Sequence, residues 1–439
     1  AYTSAEHIAV EHPQHRAGEV CGECAHGRLY ELAPAQSLRI FGQSALVARI
    51  WDQARLRCSG CGTVFTAPTP EPAQGPKYDA TAVSMMALLR YEGGMPLHRL
   101  EQFQAHLGTP VPASTQWEVV ADHVDAVAPV WDLLQTLAAQ GKLLHNDDTS
   151  VRILSLMGKR RATLFAAGQL PDADRTVLFT TAIYSVTDDG PIALFFSGRK
   201  HAGENLGALL DRRERTLPPP IQMADGLDRN APNDHAVVAS NCIVHGRRNF
   251  VDERENFPDE CQHVLEELAK VFHNDSLSAK QGLSDADRLA FHQRESAPVM
   301  TALAAWMQAA LDERRVEPNS GLGHAFRYMQ KRWDKLTLFL RVEGAPLDNN
   351  ICERVLKVPI RQRRSSLFYR NENGARVGDI FMALIHTAKL HDENPFEYLV
   401  ALLQHERDVA DHPADWLPWN FRSALARADA LAASERRAA

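Results

Sequence analysis

Four of the seven cysteines stand in two CxxC pairs, Cys21 with Cys24 and Cys58 with Cys61, with 33 residues between the pairs. Each pair lets one tight turn offer two sulfurs, and zinc takes four thiolate or imidazole ligands in a tetrahedron, with sulfur about 2.3 Å from the metal. An odd cysteine total arranged this way does not read as a disulfide framework, so a structural Zn²⁺ in a zinc ribbon is expected rather than a redox pair. His26 is near enough in the chain to replace one ligand. A second set of residues is acidic. Asp147 and Asp148 lie in a strand-like run, Asp225 closes the strand-like PPPIQMADG, and Glu353 falls in a helical stretch far downstream. Three carboxylates, one of them bridging, can hold two Mg²⁺ (or Mn²⁺) ions about 4 Å apart, so that one activates an attacking oxygen and the other steadies the leaving oxygen. Such a site cuts or joins phosphodiesters. Picked by position from 55 acidic residues, the three mean little alone: strand ends often carry solvated Asp, and Glu353 with Lys357 also reads as an i,i+4 surface pair.

The charge pattern narrows the partners. With 48 basic against 55 acidic residues the formal charge is −7, so any grip on nucleic acid must be local. From Arg354 to Arg376 seven basic residues (Arg354, Lys357, Arg361, Arg363, Arg364, Arg370, Arg376) face one acid, Glu372, a local balance of +6. Beside a metal site that run would neutralise phosphates, and Phe368 and Tyr369 within it read as core residues before stacking platforms. In SNCIVHGRRNF, His245, Arg247 and Arg248 read equally as phosphate contacts and as the start of a packed helix. Cys242 and His245 lack an evident matching pair for a second zinc. Lys159 to Arg161 reads as a hairpin tip.

These residues need elements to hold them. Short β-like runs (SLRIFG, LRCSGCGTVF) surround the cysteines, and the Pro-rich TAPTPEPAQGP, 66–76, reads as a linker. Residues 79–140 turn to helical periodicity. Leu97 to Leu107 and Ser114 to Val127 form two amphipathic helices separated by GTPVP, with Ser114 or Thr115 as N-cap, the layout of a helix-turn-helix. The second helix carries Gln116, Glu118 and two Asp but no Arg, which weakens base readout. Strand-like segments follow at 143–154, 161–167, 176–186 and 191–198, then a helix at 205–213, then strands at 218–226 and within 235–250. That order predicts a mixed α/β sheet. From 251 to about 340 only helical patterns occur; after them come a helix around Asp348 to Val358, a strand-like SSLFY, a helix from about Arg376 to Lys389, and a loose or helical tail.

Read together, several pieces of this text resemble the transposases of the insertion-sequence-66 family: the CGEC and CSGC pairs, MPLHRLEQFQAHLG, HNDDTSVRIL, QMADG, SNCIVHGRRNF, DNNICERVLKVPIRQRRSSLF, NPFEYL and DWLPWNF. The segment from Asp348 to Phe368 is the most specific. The resemblance implies a DDE-type enzyme with a ribonuclease-H-like core, and it assigns the three catalytic, Mg²⁺-holding carboxylates to Asp147, Asp225 and Glu353. Asp148 is the fallback for the first, since neighbouring strand side chains face opposite ways. Ser150, Asp148 and Lys357 depart from the usual family residues without removing a carboxylate.

The expected organisation is then a flexible segment (1–20), a zinc ribbon (21–70), a helical DNA-binding segment (77–140), the first part of the core (141–250), a helical insertion (251–344), the second part of the core (345–400) and a C-terminal element (401–439). The expected activity is metal-dependent cleavage of double-stranded DNA at the element's terminal repeats and transfer to target DNA. Arg247, Arg248, Arg354, Lys357, Arg361, Arg363 and Arg364 are the expected DNA contacts. A homo-oligomer on DNA and helper proteins of the same element are implied partners. Two alternatives stay open: a silent DNA-binding regulator derived from a transposase, and a nuclease that does not join strands. No apolar run reaches the roughly 18 residues of a membrane span, and 1–20 lacks a signal-peptide core. The expected location is therefore the bacterial cytoplasm, at the nucleoid, and the lack of an initiator Met suggests that Ala1 is not the natural start.

Overall fold

A computed structural model describes residues 8–21, 23–24, 26–35, 37, 44–169 and 176–438. The chain divides into two compact units, 1–44 and 45–439. In the first, the backbone of Val20 bridges Arg28 in antiparallel fashion, and the Cys21 N–H donates to Gly27 O at 2.8 Å, so the first CxxC sits in a tight turn. The expected strand SLRIFG lies, apart from Ser37, outside the described residues.

The second unit opens with a hairpin, β1 (Arg55–Arg57) against β2 (Val64–Thr66), whose turn carries Cys58 and Cys61. Four helices follow: α1 (Ala80–Tyr91), α2 (Leu97–His106), α3 (Ala113–Asp122) and α4 (Val124–Ala139). Asp79 starts α1 by accepting the Ala82 N–H at 2.9 Å, satisfying one of the donors that a helix start leaves free. The helix expected from Ser114 to Val127 is broken at His123. Gln116, one of the polar residues of this helix, is buried and donates to the carbonyls of Leu97 and Val111.

The centre is a five-stranded mixed sheet built from β3 (Leu143–Val151), β4 (Leu178–Thr187), β5 (Gly190–Gly198), β6 (Ile221–Ala224) and β7 (Val238–Asn241), in the order β5-β4-β3-β6-β7. β3, β4 and β5 are antiparallel neighbours; β6 runs parallel to β3, and β7 parallel to β6. A parallel neighbour needs a crossover, and α6 (Ala202–Leu210) supplies it between β5 and β6. This mixed sheet under helices is consistent with a ribonuclease-H-like core. β4 and β5 are buried over most of their length, because helices cover both faces.

The strand expected at 161–167 is absent: these residues belong mostly to the helix α5 (Gly158–Ala166), which has no buried residue. Short apolar runs do not separate strand from helix by period alone. Lys159 to Arg161 therefore opens a helix instead of tipping a hairpin.

After β7 come only helices among the described residues: α7 (Ile243–Asp252), α8 (Pro258–Lys280), α9 (Asp285–Glu295), α10 (Ala297–Asp312), α11 (Gly321–Lys331) and α12 (Trp333–Leu336). They enclose their own apolar cluster, with Phe250, Leu268, Met300, Phe326 and Phe339 at its centre. The chain then returns to the sheet with α13 (Asn350–Ser366) and α14 (Glu372–Leu390) and closes with α15 (Pro395–Gln404), α16 (Glu406–Asp411) and α17 (Phe421–Ala438). SSLFY is no regular strand: α13 runs through Ser366, Leu367 turns at φ 67°, and Tyr369 forms a single bridge to Ile153. α14 is buried through most of its length, and its Asp379 accepts the backbone and side-chain donors of Ser197. No helix among the described residues is long and apolar enough to cross a membrane.

Candidate active site

Adjacent residues on β3 point to opposite faces, and the two aspartates separate accordingly. Asp148, its side chain only 2% exposed, pairs with Arg229 at 3.0 Å and accepts the Ala202 N–H at the start of α6. Asp147 has no cationic partner of that kind among the described residues. It accepts the Asp148 N–H at 2.8 Å, yet burial, followed by the charges of Asp225, Asp148 and Glu353, pushes its carboxyl up to about 7. The charges of Asp225 and of Glu353 thus both reach Asp147, from the turn after β6 and from α13.

Asp225 sits immediately beyond β6. Its Oδ1 accepts from the Leu227 N–H at 2.9 Å and from Asn230 Nδ2 at 2.7 Å. Gly226 follows at φ +88°, a backbone conformation in which a Cβ would be strained. The helical segment clamps this turn: the Tyr328 hydroxyl donates to Asp225 O at 3.1 Å, and the Arg332 guanidinium donates to Gly226 O. Glu353 lies in the first turn of α13, which packs on β3 and β4. Its Oε1 is buried without a hydrogen-bond partner among the described residues, 3.8 Å from His245 Nε2. One ligand atom each of Cys242, His245 and Glu353 lies within 4.8 Å of the other two.

Beneath the carboxylates runs a buried polar network that sequence reasoning missed. Asn349 donates to Asn146 O and to Cys242 Sγ, and it pairs with His145. Gln222 and Asn146 both reach Asn230 O, tying β3 and β6 to the Asp225 turn. Only Asn349 carried a signal, through the Asn-Asn pair before Glu353; a single sequence gives no reason to pick the others.

The expected basic residues separate into two kinds. Arg354, Lys357, Arg361 and Arg364 recur at helical spacing and are all exposed, so they form one stripe of α13 that begins beside Glu353. Arg361 also donates to Glu92 O. Arg363 is turned inward, to Thr149 and Ser150. On α7, Arg248 is exposed and Arg247 half-buried. A cleft of ≈ 480 Å³ alongside is walled by Arg152, Met157, Val177, Arg363, Arg364 and Leu367. Phe368 is 44% exposed while Tyr369 is buried, so the core reading holds for the second and not the first.

Each unit carries one CxxC turn. Hydrogen bonding, chiefly from Gly27 N–H, lowers the Cys24 thiol, and the Thr63 side chain brings Cys61 down to about 7. Thiols lowered in this way are readier metal ligands.

A mixed sheet with acidic residues gathered from β3, β6 and a following helix defines a candidate polynucleotide-processing site. Residues 77–377, a span that includes all three carboxylates, match the family described as Transposase IS66 family, and the chain belongs to that family. It is also similar to three uncharacterized proteins of Sinorhizobium fredii (strain NBRC 101917 / NGR234). It is 25% identical to y4hP over 86% of this chain and 69% of that protein, and 29% identical to y4jD over 44% and 38%. With y4qI the identity is 23% over 77% of this chain and 62% of that protein, so the chain spans less than two thirds of y4jD and y4qI.

Proposed function

We propose that this chain is a DDE transposase whose carboxylates Asp147, Asp225 and Glu353 carry out hydrolysis at the element ends and strand transfer into target DNA. The observation that carries the reading is the state of Asp147: a buried carboxyl held up to about 7 by desolvation and by three neighbouring acids is a site short of positive charge. Oxygen-only side chains with an unpartnered buried Oε1 fit a hard divalent cation. Bound there, Mg²⁺ or Mn²⁺ would supply Lewis-acid activation of the attacking oxygen and neutralise charge at the leaving one.

The chain's own residues do the rest. The exposed stripe Arg354, Lys357, Arg361 and Arg364 binds phosphates of the DNA end, with Arg247 and Arg248 on α7 adding contacts. Arg363 anchors α13 to the end of β3. Tyr328 and Arg332 fix the turn that presents Asp225. The cysteines of each CxxC turn serve as zinc ligands, and α2 with α3 forms a helix-turn-helix-like element that contributes to terminal-repeat binding. The core (141–250 and 345–400) is interrupted by the helical insertion 251–344, and the protein acts as an oligomer on nucleoid DNA.

The deciding experiment measures Mg²⁺-dependent nicking and joining of terminal-repeat DNA by the wild type and by Asp147→Asn, Asp225→Asn and Glu353→Gln. Loss of both steps with end binding retained supports the reading. Nicking that persists in Glu353→Gln removes Glu353 from the site. Nicking without joining identifies a nuclease, and binding without either step a silent regulator.

A further inference from the structure

Cys242 caps the start of α7 and His245 lies one turn into it, so the two side chains share a face. α13 brings Glu353 against them. The three ligand atoms lie within 4.8 Å of one another, and the His245 Nε2 to Glu353 Oε1 distance is 3.8 Å. Ligands about 2.0–2.3 Å from a tetrahedral zinc are themselves roughly 3.5 Å apart, so a small closure of side chains completes the set. One further atom speaks for a ligand. Glu353 Oε1 is buried with no hydrogen-bond partner among the described residues, and buried polar atoms are seldom left so. The Asn349 N–H already points at Cys242 Sγ, 3.3 Å away, where it would stabilise a thiolate.

We propose that Cys242, His245 and Glu353 form a binding site for a thiophilic divalent cation of the Zn²⁺ class, overlapping the Mg²⁺ site at Glu353 and shutting it off when filled. A sulfur, an imidazole and a carboxylate suit zinc, whereas Mg²⁺ prefers oxygen ligands throughout. Three protein ligands leave one position open. As the metal–sulfur bond forms, the thiol proton leaves to solvent. Both sites draw on the same Glu353 Oε1, so zinc withdraws it from the catalytic set. The inhibition part of this inference rests on the proposed role of Glu353; the binding part does not.

The test uses the full chain loaded with Zn²⁺ at its CxxC cysteines and freed of excess metal, then titrated with Co²⁺. The wild type takes up one further equivalent and develops thiolate-to-cobalt charge-transfer absorption. Cys242→Ser loses the absorption, and His245→Asn binds at least ~10-fold more weakly, since even an outer partner of a metal ligand is worth that much. Cys352→Ser, which alters a buried thiol outside the set, keeps the signal. Absent absorption in the wild type, or equal absorption in Cys242→Ser, overturns the site. Added Zn²⁺ then suppresses Mg²⁺-dependent nicking in the wild type and suppresses it less in Cys242→Ser, each relative to its own zinc-free rate; equal suppression overturns the overlap. A protein that binds the extra equivalent but never nicks DNA refutes the proposed function while leaving this site standing.

Discussion

His145 Nδ1 donates to Asn349 Oδ1 across 2.9 Å, joining residues 204 positions apart in the chain. One stands two places before Asp147 and the other four before Glu353, so this bond sets strand against helix at the candidate site. The tautomer follows from the Asn349 amide, whose Nδ2 is committed to Asn146 O. Burial holds the ring down to about 4, opposed by the Asn349 bond, so His145 is neutral near pH 7.

Replacing Asn349 by Ala leaves a buried N–H without its acceptor. The expected cost is about 1–3 kcal/mol of stability, with nicking reduced further than the fraction of unfolded protein explains. Thermal melts alongside nicking assays measure both. A folded Asn349→Ala protein with full activity would separate this bond from the spacing of the carboxylates.

Asp147 makes stability depend on pH with a definite sign. Its carboxyl is raised to about 7 in the fold from 3.8, so below pH 7 the folded state holds a proton that the unfolded state releases until near 3.8. This group therefore favours folding as pH falls from 7 toward 4 and opposes it above 7. Asp147→Asn is expected to be the more stable protein at pH 8, by on the order of 4 kcal/mol, with the gap closing on acidification below 7. Mg²⁺ should raise the melting temperature of the wild type at pH 8 and not that of the variant. Parallel denaturation curves across pH would contradict the assignment.

Asp148 differs in having a cationic partner, although burial raises its carboxyl as well. Removing it in Asp148→Ala strands Arg229, which is about half exposed, so the loss is about 1–2 kcal/mol, discounted from the scale of a fully buried pair. The Mg²⁺-induced rise in melting temperature should survive. If it disappears in Asp148→Ala and persists in Asp147→Asn, the roles of the two aspartates are exchanged.

Tyr328→Phe removes one hydroxyl that holds the Asp225 carbonyl. Stability should fall by about 1 kcal/mol, and the Mg²⁺ concentration needed for half-maximal nicking should rise while DNA-end affinity stays unchanged. Weakened end binding with unaltered Mg²⁺ dependence would point to a DNA contact instead.

The stripe on α13 predicts a salt effect. Each of Arg354, Lys357, Arg361 and Arg364 changed to Ala should lower the slope of log affinity against log salt by about 0.9 if it meets a phosphate. Arg363→Ala should act mainly on stability, because its bonds go to Thr149 and Ser150. Binding titrations at several salt concentrations distinguish the two; a slope change confined to Arg363→Ala would reverse the division.

Much of this protein is written locally. Strand-like runs marked four of the five strands of the sheet closely, at 143–151, 178–187, 190–198 and 221–224; β4 and β5, buried over most of their length, leave near-continuous apolar runs. The basic run after Glu353 was visible as composition, and helical geometry then sorted it into a stripe. Where local signals compete, the text misled: 161–167 has strand-like residues but folds as an exposed helix, and the helix read from Ser114 to Val127 breaks at His123.

The sequence alone determined which residue types were available and which elements carried them: two CxxC turns, an Asp-Asp on a strand, an Asp before a glycine turn, and a Glu ahead of arginines. Only the tertiary structure decided which charges meet. Asp147 and Asp148 are chemically alike and adjacent, yet one is paired with Arg229 and the other is left facing Asp225 and Glu353. The grouping of Cys242 and His245 with Glu353 likewise exists only once α7 and α13 are packed. Electrostatic interaction falls off within a few ångströms and depends on burial, and neither separation in space nor burial is encoded by position along the chain.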